Sequence, residues 1–176
     1  MKKKYFSLGV LSIALSITSA AAFADWAVEI EDDVFTGGQK AMLIGAEHEL
    51  NGVVVDCSKD ELKVTYIERS ETKNITEGLP VEMIFKVDQS SPIKFDAQTV
   101  VRNNDYFGIE SDDSDNLKLF LSQLRNAKQK ILIGIRYPHN DSKASFTLSA
   151  SGSTASVSKL VKACEIELPG NNPQKS

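Results

Sequence analysis

This chain is poor in the residues on which most active-site chemistry depends: 176 residues contain two cysteines, two histidines and one tryptophan. Cys57 and Cys164 stand far apart with no CxxC pair and no histidine or further cysteine at ligand spacing. A redox-active dithiol or a thiolate metal site is therefore not the expected reading. His48 and His139 fall in different predicted loops, and no Gly-x-Ser-x-Gly elbow accompanies them, so a Ser/His/Asp arrangement has little to build on. Glycine-rich phosphate loops and basic stripes interleaved with aromatics are also missing. The 24 carboxylates make chance pairs inevitable, so paired acids say nothing about glycoside chemistry. No cofactor, no metal and no enzymatic activity is expected.

The amino terminus carries the clearest positive signal. Lys2, Lys3 and Lys4 precede an apolar run from Tyr5 to about Ile17, and small residues follow, ending in Ala22-Phe23-Ala24. A basic stretch, an apolar segment and an A-x-A-like site together describe a secretory signal peptide cut after Ala24. The run is too short and too rich in serine for a spanning helix, which needs roughly 20 apolar residues. The expected product is a soluble exported protein with no membrane insertion. Its organisation reads as residues 25–168 in a single β-rich domain and residues 169–176 as a flexible tail of Pro, Gly, Asn, Gln, Lys and Ser.

Loss of residues 1–24 removes Lys2, Lys3 and Lys4 and no carboxylate, which leaves 17 basic against 24 acidic side chains, a net charge of −7. Phosphate backbones and anionic lipids attract cationic surfaces. Nucleic acid and membrane surfaces are accordingly not expected partners. In an oxidising compartment two thiols pair by default, and Cys57 with Cys164 is the one intramolecular pairing available.

Period-two apolar patterns predict strands along most of the mature chain. Trp26, Val28 and Ile30 share one face of a first strand. Ala41 to Ala46, Val53 to Cys57, Leu62 to Tyr66, Val81 to Val87, Ile93 to Val101 and Tyr106 to Ile109 continue what reads as a β meander. The spacing then changes: Leu117, Phe120, Leu121, Leu124 and Ala127 predict a helix over about 114–128. Asp112, Asp113 and Asp115 lie at its start and Arg125, Lys128 and Lys130 at its end, as the helix dipole favours. The acids from Glu110 to Asp115 lack calcium-loop spacing, because Leu117 and Gln123 fall where Gly and Glu are needed. Glu31, Asp32 and Asp33 read as a solvated turn. Ile131 to Tyr137 and Phe146 to Ala150 predict a second hairpin, and Val157, Leu160, Val161 and Cys164 a final helix over about 153–164 that carries Cys164 inward. The triplets at Asn74 and Asn140 read as turn residues, since the lysine-rich leader looks bacterial.

The order of short segments resembles a known family. Trp26 just after the cleavage site, Val55-Asp56-Cys57, the helix from Phe120 to Ala127, Ile131 to Pro138, Ala144-Ser145-Phe146-Thr147-Leu148 and Leu160-Val161-Lys162-Ala163-Cys164 together resemble the VasI/TagO-like family of small exported proteins associated with bacterial type VI secretion. The resemblance implies an α+β, mainly β domain with an antiparallel β sandwich-like core, two helices and a Cys-to-Cys tie. It also implies a periplasmic location and an accessory role, by protein binding, at a secretion apparatus in the envelope of Gram-negative bacteria. The candidate partner contacts are Trp26, Arg102, Tyr106, Phe107 and Arg136. An inhibitor or immunity-type protein, occluding a cell-wall hydrolase or toxin with an acidic loop, is the alternative.

Overall fold

A computed structural model describes residues 25–170; residues 1–24, where a leader is expected, and residues 171–176, most of the expected tail, lie outside the described residues. Nine strands form one antiparallel sheet: β1 (Trp26–Asp33), β2 (Gly38–His48), β3 (Asn51–Cys57), β4 (Leu62–Arg69), β5 (Pro80–Val87), β6 (Ile93–Val101), β7 (Tyr106–Ser111), β8 (Lys130–Tyr137) and β9 (Ser142–Ser149). Helix α1 (Ser114–Arg125) lies between β7 and β8, and α2 (Ser153–Ala163) follows β9. The mainly β, α+β class is as the periodicity predicts.

Two expectations need correction. The spatial order is β1-β2-β3-β4-β7-β6-β5-β8-β9, so the chain leaves the meander after β4. The connection through residues 70–79 is too long for a tight hairpin. It carries β5 three strands away, and β6 and β7 return to seat β7 beside β4, a Greek-key order. The second correction concerns the sandwich: in place of two stacked sheets there is one continuous sheet, strongly curled. Tyr66 on β4 and Phe146 on β9 stack with ring centroids 4.8 Å apart. Five strand spacings separate them in the sheet order, which on a flat sheet would be about 24 Å. Only a sheet rolled back on itself brings those rings together.

The concave face holds the core. Val53, Tyr66, Ile109 and Thr99 align across β3, β4, β7 and β6, while Phe85, Ile133 and Phe146 align across β5, β8 and β9. α1 packs on β4, β5 and β6, with Phe120 stacked on Phe85 at 4.5 Å, and α2 packs on β1, β2 and α1. Asp113 caps α1 by accepting the Asn116 N–H at 3.1 Å. That helix stops at Arg125, short of the expected 128, because the Asp88 carboxylate accepts the N–H groups of Lys128, Gln129 and Lys130 at 2.7, 3.0 and 2.9 Å. Those charge-assisted bonds straighten the chain into β8.

Trp26, 1% exposed, closes the seam between the two ends of the sheet. Its indole lies across Gly45, where a Cβ would come within 2.5 Å of the ring, so only glycine fits there. The indole N–H donates to the Ser149 carbonyl at 2.8 Å, the Trp26 amide to the Ser151 carbonyl at 3.2 Å, and Ser156 of α2 donates to the Trp26 carbonyl at 2.9 Å.

At the far end of α2, Cys57 and Cys164 form the expected disulfide, with Cα atoms 6.3 Å apart and a sequence separation of 107. Replacing both cysteines with serine is expected to cost about 2–5 kcal/mol of unfolding free energy. Urea denaturation checks this; an unshifted midpoint would show that the tie contributes nothing to stability.

Candidate functional site

Two surface features stand out on the β1–β2 side of the molecule. The first is the hairpin tip. Residues 34–37 join β1 to β2, and Val34 and Phe35 there are 85% and 95% exposed. The tip is nevertheless well fixed. Asp33 accepts the Phe35 N–H at 2.9 Å through one carboxylate oxygen and the Thr36 hydroxyl at 2.9 Å through the other, while its carbonyl accepts the Gly37 N–H at 2.9 Å. Gly37 adopts φ +71°, a conformation that costs glycine little. These bonds hold the Asp33 carboxyl below its usual range, with the Phe35 amide as the largest cause.

The second feature is a cleft of about 390 Å³ on the convex face, walled by β1 to β4, by β7 and by the turn after β6. Glu29, Glu31, Lys40, Met42, Asp56, Lys63, Arg102 and Glu110 line it. Arg102 reaches over the face and forks onto Asp56, at 2.6 and 2.9 Å, with Met42 Sδ at 3.8 Å from the guanidinium. The hydrogen bond to Asp56 also raises the pKa of Arg102. Lys63 is held by Glu61 and by Glu110 at 3.6 Å, which raises its pKa, and Lys40 meets Glu31 at 3.0 Å. Glu29 has no cation partner among the described residues.

The residues singled out from sequence do not converge on one surface. Trp26 is a core residue at the seam. Phe107 is half-buried against the core, and Arg102 is committed to Asp56. The Tyr106 hydroxyl donates to the Glu49 carbonyl at 2.7 Å. Arg136 stands exposed on β8 between Glu82 and Asp141, at 3.2 and 3.0 Å. Arg102 lies in the β6–β7 turn and Tyr106 and Phe107 open β7 beside it, whereas Trp26 and Arg136 lie on other strands. The hairpin tip was missed, although an adjacent Val34-Phe35 pair inside a turn built from Asp32, Asp33, Gly37 and Gly38 was a readable anomaly. Glu31, Asp32 and Asp33, expected in a solvated turn, instead form the end of β1, with Glu31 and Asp32 exposed and Asp33 partly buried; the turn itself is residues 34–37.

No family model matches this chain, and no curated protein or solved structure matches it. Among the described residues no helix is long and apolar enough to cross a membrane, and the disulfide is compatible with an exported protein.

Two outcomes are expected from these geometries. Arg102 and Asp56 are each about one-quarter exposed, so solvent screens the pair only partly and a double-mutant cycle with alanine should give a coupling of about 1–2 kcal/mol. A coupling near zero would show that the fork clamps nothing. At the tip, Asp33 titrates below its unfolded value, so its hold on the turn is complete above about pH 4 and is lost as pH falls through the lower folded pKa. The Phe35 amide resonance should report that transition below pH 4, and Asp33→Asn should abolish it; a midpoint above 4 would contradict the geometry.

Proposed function

We propose that this chain is an exported, periplasmic protein-binding module, with its leader removed after Ala24, that engages a partner in the cell envelope through the β1–β2 hairpin. The observation that carries the reading is Phe35, 95% exposed on a turn fixed by Asp33. An aromatic ring held in water by a preorganised turn loses little conformational entropy on docking, and burying it is worth about 2–3 kcal/mol. The segments that resemble the type VI secretion-associated family make a component of a secretion apparatus the first partner to test. The protein acts by binding in this reading, without chemistry of its own.

The acids below the tip, Glu31, Asp32 and Asp33, favour one second reading: a hairpin that plugs the cleft of a cell-wall hydrolase or toxin. Residual activity of lysozymes and amidases in the presence of purified protein separates the two, since an accessory module leaves it unchanged.

Photo-cross-linking tests the main reading. A photoreactive residue placed at position 35 in cells should give a discrete envelope adduct, whereas the same residue at Leu119, 40% exposed on α1, should not. Phe35→Ser should abolish binding while changing stability by less than about 0.5 kcal/mol, as surface substitutions do. Equal labelling from both positions, or none from 35, would overturn the proposal.

A further inference from the structure

β1 is an edge strand, and its register fixes which of its amides are open. Ala46 donates to the Asp25 carbonyl, so Asp25 and Ala46 form a hydrogen-bonded pair, and alternation makes Ala27, Glu29, Glu31 and Asp33 the residues that bond to β2. The N–H and C=O groups of Trp26, Val28, Ile30 and Asp32 then point away from the sheet. The Trp26 amide is taken by Ser151, in keeping with this phase. Val28, Ile30 and Asp32 have no backbone partner on that side among the described residues, which leaves a ladder open for another strand.

The side chains along this ladder restrict what can occupy it. β1 carries Glu29, Glu31, Asp32 and Asp33 and no base. Glu29, without a cation partner among the described residues, and Glu31, paired with Lys40 at 3.0 Å on the exposed surface, face the convex cleft, and on the opposite face Ile30 remains 40% exposed. Pairing two copies of β1 would set carboxylates opposite carboxylates, which is destabilising. The other free edge, β9, offers one base, Lys143, so a second copy supplies little complement. The geometry points to an extended segment of a partner protein, alternating basic and apolar residues, added as a tenth strand on β1. Its lysines or arginines lie against Glu29 and Glu31 at the rim of the cleft, and its apolar side chains extend the concave face beside Val28 and Ile30. This inference rests on the protein-binding reading and names the partner's contact chemistry.

Synthetic peptides of strand length, about 6–8 residues, test it: one alternating Lys and Val, the other Glu and Val, titrated into the purified protein by calorimetry and by amide chemical shifts. The Lys/Val peptide should bind at least about tenfold tighter and shift Val28, Ile30 and Asp32. Ile30→Pro removes one outward N–H without removing charge, so it should lose the Lys/Val peptide. The double variant Glu29→Lys/Glu31→Lys should reverse the preference, and serves as the readout if the proline variant does not fold. Equal binding of the two peptides, binding that survives Ile30→Pro, shifts confined to other acidic patches, or concentration-dependent self-association in sedimentation would each overturn the inference. The adduct at position 35 is a separate readout: an adduct with no peptide preference refutes the edge alone, and peptide preference with no adduct refutes the hairpin-tip contact alone.

Discussion

The structure depends on how Trp26 closes the curl. A nine-stranded antiparallel sheet with one apolar face has two ways to bury it, by stacking on a second sheet or by rolling around its own contents. This chain rolls, with α1 and α2 filling the concavity. Rolling leaves a seam where the first and last strands approach, and Trp26 occupies that seam: flat against Gly45, bonded through its indole to Ser149 and through its backbone to Ser151 and Ser156. One residue thus joins β1, the end of β9 and α2. The disulfide does the corresponding work at the other end of α2, so that helix is fastened at both ends to the wall it covers.

That anchoring is asymmetric along β1, and the asymmetry sets up the functional surface. Beyond Trp26, β1 is bonded on one side only, to β2, until the hairpin turns at Asp33. The hairpin therefore projects from a firmly held root. Rigidity toward the tip comes from short-range bonds to Asp33, and on the convex side from the Arg102–Asp56 fork, which ties the β6–β7 turn to β3. Both stiffen the platform without covering the β1 edge.

Local features of the fold were legible in the sequence because they rest on local rules. Period two marked β1, β4, β5, β6, β8 and β9, short apolar or β-branched runs marked β2, β3 and β7, period 3.6 marked both helices, and the face assigned to Cys164 brought it to Cys57. Strand order was not legible, since nothing within β4 says that β7 rather than β5 will be its neighbour. The curl was also hidden, because it depends on Tyr66 meeting Phe146 across the whole sheet. The end of α1 was misplaced for a similar reason: Asp88, some forty residues upstream, captures the amides that would have continued the helix. The candidate contacts show the same limit. Arg102 reads as an available cation until Asp56 is found beneath it, whereas Trp26 on an alternating strand reads as core before it reads as a ligand anchor, and it is buried. Phe35 is the converse case, an apolar residue in a turn whose exposure follows from turn chemistry alone.

The acids on β1 serve two purposes through one mechanism. An exposed edge strand is a hazard, and proteins commonly blunt such edges with charge. Here the charge has a single sign, repeated at Glu29, Glu31, Asp32 and Asp33, on a chain whose expected mature net charge is already −7. Like charges repel another copy of β1, while the open amides of Val28, Ile30 and Asp32 are left intact. A mixed-charge edge would block self-pairing less well and would discriminate poorly among partners. A proline would remove the ladder for every partner alike. A run of carboxylates along an unbroken edge keeps the ladder available and restricts it to strands of opposite charge, so the protection against self-association is also the source of selectivity.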